Sequence, residues 1–334
     1  MGTSDRPIFI VGCPRSGTTL LQVMLHSHRR IAIPPETRFL IALYQQRAGF
    51  GDLAIEDNRR ELATFMIKRG SKFRDLGLDG RQVTREIVNG PPTIGSAAGI
   101  VYRAYARRFD KERWGDKRPG YFSYIPELLS MFPDAQLIHL VRDGRDCVAS
   151  LKRMPWWEHD SVTSMCVWAQ AVDYSRRAGR QVGPQRYIEL QYERLVADPE
   201  PELRRLCSFL EEDFDPGMLA PHLVAGSAVP ERKGWHSRTR GAVDTTAIGG
   251  WREQLEEWEI SLMEQVCGRQ LRRYGYPITG LSGRPPAAAL VRYARVNAKR
   301  RLAVTKRRLR DRRVQRDYRQ PVAARLTRGQ LERA

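Results

Sequence analysis

The chain has no apolar run long enough to cross a bilayer; its longest are strand-sized, such as Ile8-Phe9-Ile10-Val11. It shows no leader pattern either. Met1-Gly2-Thr3-Ser4-Asp5-Arg6 runs straight into that strand and a Gly-rich turn follows, so no secretory signal is expected. Cysteine is scarce: the five, at positions 13, 147, 166, 207 and 267, are odd in number and form no close pair. That argues against a disulfide framework or a zinc knuckle and fits a reducing, cytoplasmic setting. His26 and His28, two apart on one predicted helix, point in different directions and cannot chelate one ion, while His139 sits within a strand and reads as core. No His/Asp/Glu spacing points to a metal.

Acidic residues are nearly missing from one place. Residues 284–334 hold 17 Lys/Arg against 3 Asp/Glu, which accounts for +14 of the formal net charge of +19. The rest of the chain is only mildly basic, so a nucleic-acid reading drawn from total charge would rest on the tail, and no specific nucleic-acid binding is expected. With 41% hydrophobic and 28% charged residues, the 334-residue chain is globular and can bury one large core.

Short β-rich runs alternate with helical patterns, the mark of an α/β fold around a parallel sheet. Strands are predicted near 7–12, 31–33, 112–116, 136–141 and 186–190. Helices are predicted over 17–28, 37–47, 56–69, 95–109, 121–131, 143–153, 160–180, 199–211 and 253–273. Pro91-Pro92 and residues 226–250 read as loops. The breakers at Gly275-Tyr276-Pro277 and 280–286 divide a catalytic domain, 1–283, from an Arg-rich extension, 284–334.

Gly12-Cys13-Pro14-Arg15-Ser16-Gly17-Thr18-Thr19-Leu20-Leu21 follows an apolar strand and opens a helix. Such a turn presents unpaired backbone N–H groups and the positive end of a helix dipole, which makes an anion site. Arg15 adds fixed charge, and the Thr18 and Thr19 hydroxyls can donate to phosphate oxygens. The spacing is that of a Walker A loop, but Thr18 occupies the lysine slot, which disfavours an ATP-dependent kinase or other phosphotransferase.

The stretch Pro14-Arg15-Ser16-Gly17-Thr18-Thr19 resembles the 5′-phosphosulfate loop of sulfotransferases that use 3′-phosphoadenosine-5′-phosphosulfate (PAPS), in the Arg-containing version of the tyrosylprotein enzymes and many bacterial ones. Leu137-Ile138-His139-Leu140-Val141-Arg142-Asp143, with Ser150 eight residues after Arg142, is a strand, a turn and a helix that can grip a second, separated phosphate. It resembles the family's 3′-phosphate motif. The two motifs occur in the family's order, and a 3′,5′-bisphosphate donor needs both sites. The resemblance implies a P-loop-type three-layer fold over residues 7–275, and donor binding by Arg15, Ser16, Gly17, Thr18, Thr19, Arg142 and Ser150.

Helix 17–28 runs away from the phosphate loop, so Ile31-Ala32-Ile33 must return as a parallel strand and deliver Glu36 to the same edge as Arg15. A carboxylate there can take an acceptor's proton; on spacing alone it can equally be a solvated turn residue. Glu36-Thr37-Arg38 matches the Glu-Thr-Arg of the tyrosylprotein enzymes, where the glutamate is the general base. Lys117, in Trp114-Gly115-Asp116-Lys117-Arg118-Pro119, is either a surface cation or a stabiliser of transition-state charge. It matches a family Asn/Asp-Lys-x-Pro pattern, loosened by Arg118. Tyr192 of Gln191-Tyr192-Glu193-Arg194-Leu195 resembles the family tyrosine near the 3′-phosphate. In the family the region matching 231–252, with Arg232, Lys233, Ser237, Arg238, Arg240 and Arg252, closes over the nucleotide, but the Arg-Lys-Gly ending of the cytosolic group is missing.

Taken together, Glu36 and Lys117 are the expected catalytic residues, PAPS the co-substrate with no metal, and a carbohydrate, lipid, phenol or secondary-metabolite hydroxyl the acceptor. Trp156-Trp157 either lines the acceptor pocket or packs against helix 160–180. The tail over 285–319 reads as a weakly amphipathic basic helix, stopped by Pro321. It is either solvated or in peripheral contact with anionic membrane. A non-enzymatic basic binding protein is the reading from another class.

Overall fold

Ile8–Gly12, an unbroken apolar run, forms strand β1 and is buried on both faces, as an interior parallel strand must be. The computed structural model describes residues 4–68, 72–228, 241, 243–280 and 284–325. After β1 come α1 (Thr18–Ser27), β2 (Ile31–Ala32), α2 (Phe39–Gln45), α3 (Glu56–Lys68), α4 (Gly80–Asn89) and α5 (Ile94–Arg107). Then follow β3 (Arg113–Lys117), α6 (Ile125–Met131), β4 (Gln136–Val141), α7 (Gly144–Lys152), α8 (Ser161–Val182) and β5 (Tyr187–Gln191). The chain continues through α9 (Tyr192–Ala197), α10 (Pro199–Leu210), α11 (Ala225–Ala228), α12 (Trp251–Gln254), α13 (Glu257–Arg273) and α14 (Ala287–Asp317).

The five strands pair in the order β2-β3-β1-β4-β5, all parallel. Alternation along β1 splits the core: Phe9 and Val11 pack into the layer that holds Phe39, Tyr102 and Trp114, while Ile8 and Ile10 pack into the layer that holds Leu21, Leu203 and Leu206. The result is a P-loop-type three-layer α/β fold. Ile10 pairs with Lys117, Gly12 with Leu140, Val141 with Gln191 and Ala32 with Trp114, so every strand ends at one rim. Ligands of open parallel sheets bind at that rim.

Several elements depart from the sequence expectation. Helix α4 falls where none was predicted; Asp79 caps it by accepting from the Arg81 N–H at 2.8 Å, and Val83, Ile87 and Val88 bury its short apolar side. The single helix expected over 121–131 is a 3₁₀ turn, Pro119–Ser123, followed by α6. Pro126 lacks an N–H and belongs in a first turn, so it starts a new helix and does not continue the old one. A short helix, α9, directly follows β5.

The tail folds back on the body. Helix α14 ends before Pro321, and Arg301 pairs with Asp173, Arg307 with Glu127 and Asp311 with Arg47. Beyond it the Gly95 N–H donates to the Val322 carbonyl at 2.9 Å, and the Ala324 N–H to the Met131 carbonyl at 2.8 Å. Leu290, Tyr293, Val304 and Val314 pack beside these ion pairs.

Candidate active site

The turn after β1 has the form of an anion cradle. Gly17 is left-handed, with φ of 92°, and a Cβ there would lie 2.3 Å from the Tyr192 ring. Gly17 also starts α1 with no side-chain cap, which leaves first-turn N–H groups for an anion. Arg15 is left-handed too, at φ of 71°, a conformation that costs a non-glycine residue about 1 kcal/mol and persists where the surroundings enforce it.

Two constraints hold Arg15. Its Nε donates to the Ser150 Oγ of α7 at 2.9 Å, and its carbonyl accepts from Arg142 Nη1 at 3.0 Å. The two motifs expected to bind anions therefore touch. Arg142, at the end of β4, stacks 4.7 Å from the centre of the Tyr192 ring and also donates to the Ala247 carbonyl, yet its buried Nε has no partner among the described residues. Asp146, one turn into α7, accepts from the Gly249 and Trp251 N–H groups at 2.9 and 3.1 Å. It thereby ties the segment before α12 to the helix that carries Ser150. Burial pushes the Asp146 carboxyl above its usual range, opposed by Arg142 nearby.

Glu36 and Lys117 meet. Lys117 Nζ lies 2.8 Å from Glu36 Oε1 and donates to Thr19 Oγ1 at 3.2 Å, so one ammonium stands between the phosphate loop and the carboxylate. Lys117 is 2% exposed and Glu36 16% on their side chains. Behind them, Asp116 is fully buried and pushed up to about 6 by desolvation, against hydrogen bonds from Tyr121, Tyr102 and the Lys117 N–H. The Tyr102 hydroxyl also lies 3.1 Å from Thr37 Oγ1. One tyrosine thus links the residue before Lys117 to the residue after Glu36.

These groups surround a cleft of about 840 Å³, a volume suited to a nucleotide-sized ligand. Both motifs line this one cleft: Arg15, Gly17, Thr18 and Thr19 from one, Arg142 and Ser150 from the other, with Tyr192 and Glu36. Ser16 and Lys117 stand behind the wall; Ser16 is fully buried and its Oγ has no partner among the described residues.

Sequence reasoning missed Arg38, Lys72, Arg118 and Arg153, which add positive charge to the lining, and Asp146 and Gln254. Arg38 and Arg118 adjoin quoted motifs and were within reach; Lys72, 36 residues beyond Glu36, carries no local signal. Of the tryptophan pair, Trp156 lines the cleft, while Trp157 donates to Ser164 Oγ at 2.8 Å and packs into the core by α8. Arg232, Lys233, Ser237, Arg238 and Arg240 lie outside the described residues.

The family model described as the Sulfotransferase family matches residues 7–216, well over half of the chain. The chain belongs to the sulfotransferase family. It is 26% identical over 277 residues to protein-tyrosine sulfotransferase A of Caenorhabditis elegans, covering 80% of this chain and 67% of that one. Over 287 residues it is 27% identical to nodulation protein NoeE of Sinorhizobium fredii, covering 79% and 64%. It spans 39% of the Drosophila melanogaster protein-tyrosine sulfotransferase, at 27% identity over 64% of this chain. Among solved structures, the sulfotransferase domain from the curacin biosynthetic pathway shares the fold, with a TM-score of 0.59 at 22% identity, over 83% of this chain and 100% of that domain.

The sulfotransferase family uses PAPS, and the residues present fit such a donor. An uncapped helix start beside Arg15 suits a 5′-phosphosulfate. Arg142 and Ser150, which line the same cleft, suit a second phosphate.

Proposed function

We propose that this sulfotransferase moves a sulfonate group from PAPS to an acceptor hydroxyl by in-line displacement, with residues 1–283 as the catalytic unit and 284–334 as an extension. The phosphate loop with Arg15, Ser16, Gly17, Thr18 and Thr19 holds the 5′-phosphosulfate, and Arg142, Ser150 and Tyr192 hold the 3′-phosphate. Glu36 takes the proton as the acceptor oxygen bonds to sulfur. The bond from sulfur to the bridging oxygen breaks, its electron pair stays on the 5′-phosphate, and Lys117 offsets that charge. Adenosine 3′,5′-bisphosphate leaves.

The observation that carries this reading is the position of Lys117 between Thr19 and Glu36. In-line transfer puts leaving group and nucleophile on opposite sides of sulfur, and one ammonium here reaches a hydroxyl on the donor side and a carboxylate on the acceptor side. The five free, buried cysteines fit work in a reducing cytoplasm.

The test is a thermal shift with adenosine 3′,5′-bisphosphate against ATP, followed by labelled PAPS with pooled carbohydrate, lipid, phenol and secondary-metabolite acceptors. Stabilisation by the bisphosphate, without Mg²⁺, is expected. Stabilisation by Mg²⁺–ATP alone would replace the sulfonate reading with phosphoryl transfer.

A further inference from the structure

Helix α14 packs on the protein through Leu290, Tyr293, Val304 and Val314 together with ion-paired polar residues, yet it also turns a row of aliphatic residues to solvent, which an ordinary surface helix does not. On the inner side, Arg301, Arg307 and Asp311 are spent on ion pairs with Asp173, Glu127 and Arg47. On the outer side, Val291, Leu302 and Leu309 are 68%, 53% and 50% exposed. With exposed Ala298 they recur at spacings of seven, four and seven residues, which is two turns, one turn and two turns, so they form a single crest.

Exposed cations flank that crest: Arg295, Lys299, Lys306, Arg310 and Arg313. No acidic group among the described residues pairs with any of them, and no Asp or Glu occurs between positions 284 and 310. The helix is 31 residues long, roughly 46 Å at about 1.5 Å per residue, so the pattern is an extended strip. No helix among the described residues is long and apolar enough to cross a membrane, so any contact with lipid is peripheral.

We propose that the outer face of α14 docks the protein on an anionic lipid bilayer, its cations among the headgroups and Val291, Leu302 and Leu309 inserted at the acyl boundary. A nucleic acid would use the cations alone and leave three aliphatic side chains facing phosphate; a bilayer uses both sets. Inward salt bridges hold the helix in register, so the crest is presented without prior folding of the tail. This inference is independent of the chemistry proposed for the cleft.

The test is co-sedimentation of the full chain with vesicles of phosphatidylcholine alone, or with a quarter phosphatidylglycerol. Binding to the anionic vesicles is expected, at least about tenfold tighter than to the neutral ones and weakened by salt. The triple variant Val291→Ser/Leu302→Ser/Leu309→Ser should lose about tenfold on anionic vesicles. Its stabilisation by adenosine 3′,5′-bisphosphate should stay as in the parent, which separates this idea from the cleft chemistry. Should that variant misfold, Leu302→Cys carrying an environment-sensitive dye reports insertion directly, since the native cysteines are buried. A blue shift on anionic vesicles is expected. An unshifted dye, a serine variant that binds as tightly as the parent, or a parent that binds duplex DNA in preference to anionic vesicles would each overturn the proposal.

Discussion

The Glu36 carboxylate lies 2.8 Å from the Lys117 ammonium at the rim of the sheet. A carboxylate engaged in this contact must be released before it can take a proton from an acceptor. On the proposed mechanism the pair loosens when a donor draws Lys117 toward the bridging oxygen, which leaves Glu36 to take the acceptor's proton as sulfur is attacked. On that mechanism the ion pair is a resting state that donor binding undoes.

Glu36→Gln keeps the shape and removes the base. Turnover should fall about 10²-fold or more, while the thermal shift with adenosine 3′,5′-bisphosphate stays as in the parent. Full activity in this variant, measured with labelled PAPS, would take Glu36 out of the chemistry.

Gly17→Ala puts a methyl 2.3 Å from the Tyr192 ring at a φ of 92°. The tyrosine must move, and with it the surface against which Arg142 stacks. We expect affinity for the bisphosphate to drop about tenfold or more, with the larger share in affinity and not in folding, because the turn is at the surface of the cleft. Titration calorimetry beside a melting curve separates the two; unchanged affinity would show that Tyr192 takes no part in donor binding.

Asp146→Ala leaves the Gly249 and Trp251 N–H groups without their acceptor. Each orphaned donor costs about 1–3 kcal/mol unless water reaches it, so the segment before α12 should open. Hydrogen exchange at residues 247–252 should speed up and bisphosphate affinity should fall, while exchange in β1 and β4 stays slow. Protected amides at 249 and 251 in the variant would refute the anchoring role.

Acid should loosen the connection to Glu36. Burial pushes the His26 imidazole down to about 3 from 6.5, and Lys111 beside it acts in the same direction. His26 Nδ1 accepts the Ile33 N–H at 3.2 Å, so the neutral ring holds the strand that leads to Glu36. Because the folded value is the lower one, the unfolded chain takes up the proton first. Stability is therefore intact above pH 6.5 and is lost progressively as pH falls from there toward about 3. His28, also lowered mainly by burial, adds to the same slope. Melting temperature against pH should be flatter in His26→Gln; an equal slope would assign the effect elsewhere.

The rim was legible because parallel topology is a strong constraint. Once Ile8–Gly12 and Gln136–Val141 read as buried strands, the turns after them had to share an edge, and a helix returning through Ile31 had to bring Glu36 there. What stayed hidden depends on partners far apart in sequence. Asp146 reads locally as a first-turn helix acid, and only the fold shows its 103-residue reach to Gly249. Tyr102 sits on a helix whose pattern reveals burial but not that its hydroxyl meets both Asp116 and Thr37. The resting place of α14 was unreadable for a related reason: an arginine paired with a body carboxylate looks the same in sequence as one facing water.

Strand β2 is two residues long and, among the described residues, pairs with β3 alone, through Ile31 with Arg113 and Ala32 with Trp114, while β1 has a neighbour on each side. The two sides of the cleft therefore rest on different kinds of support. Lys117 ends a strand bonded to neighbours on both sides, whereas the backbone around Glu36 leaves the sheet's edge and is tied down by the Gln22, His26 and Tyr102 side chains. The reach of Glu36 is thus set by side-chain packing rather than by the sheet ladder.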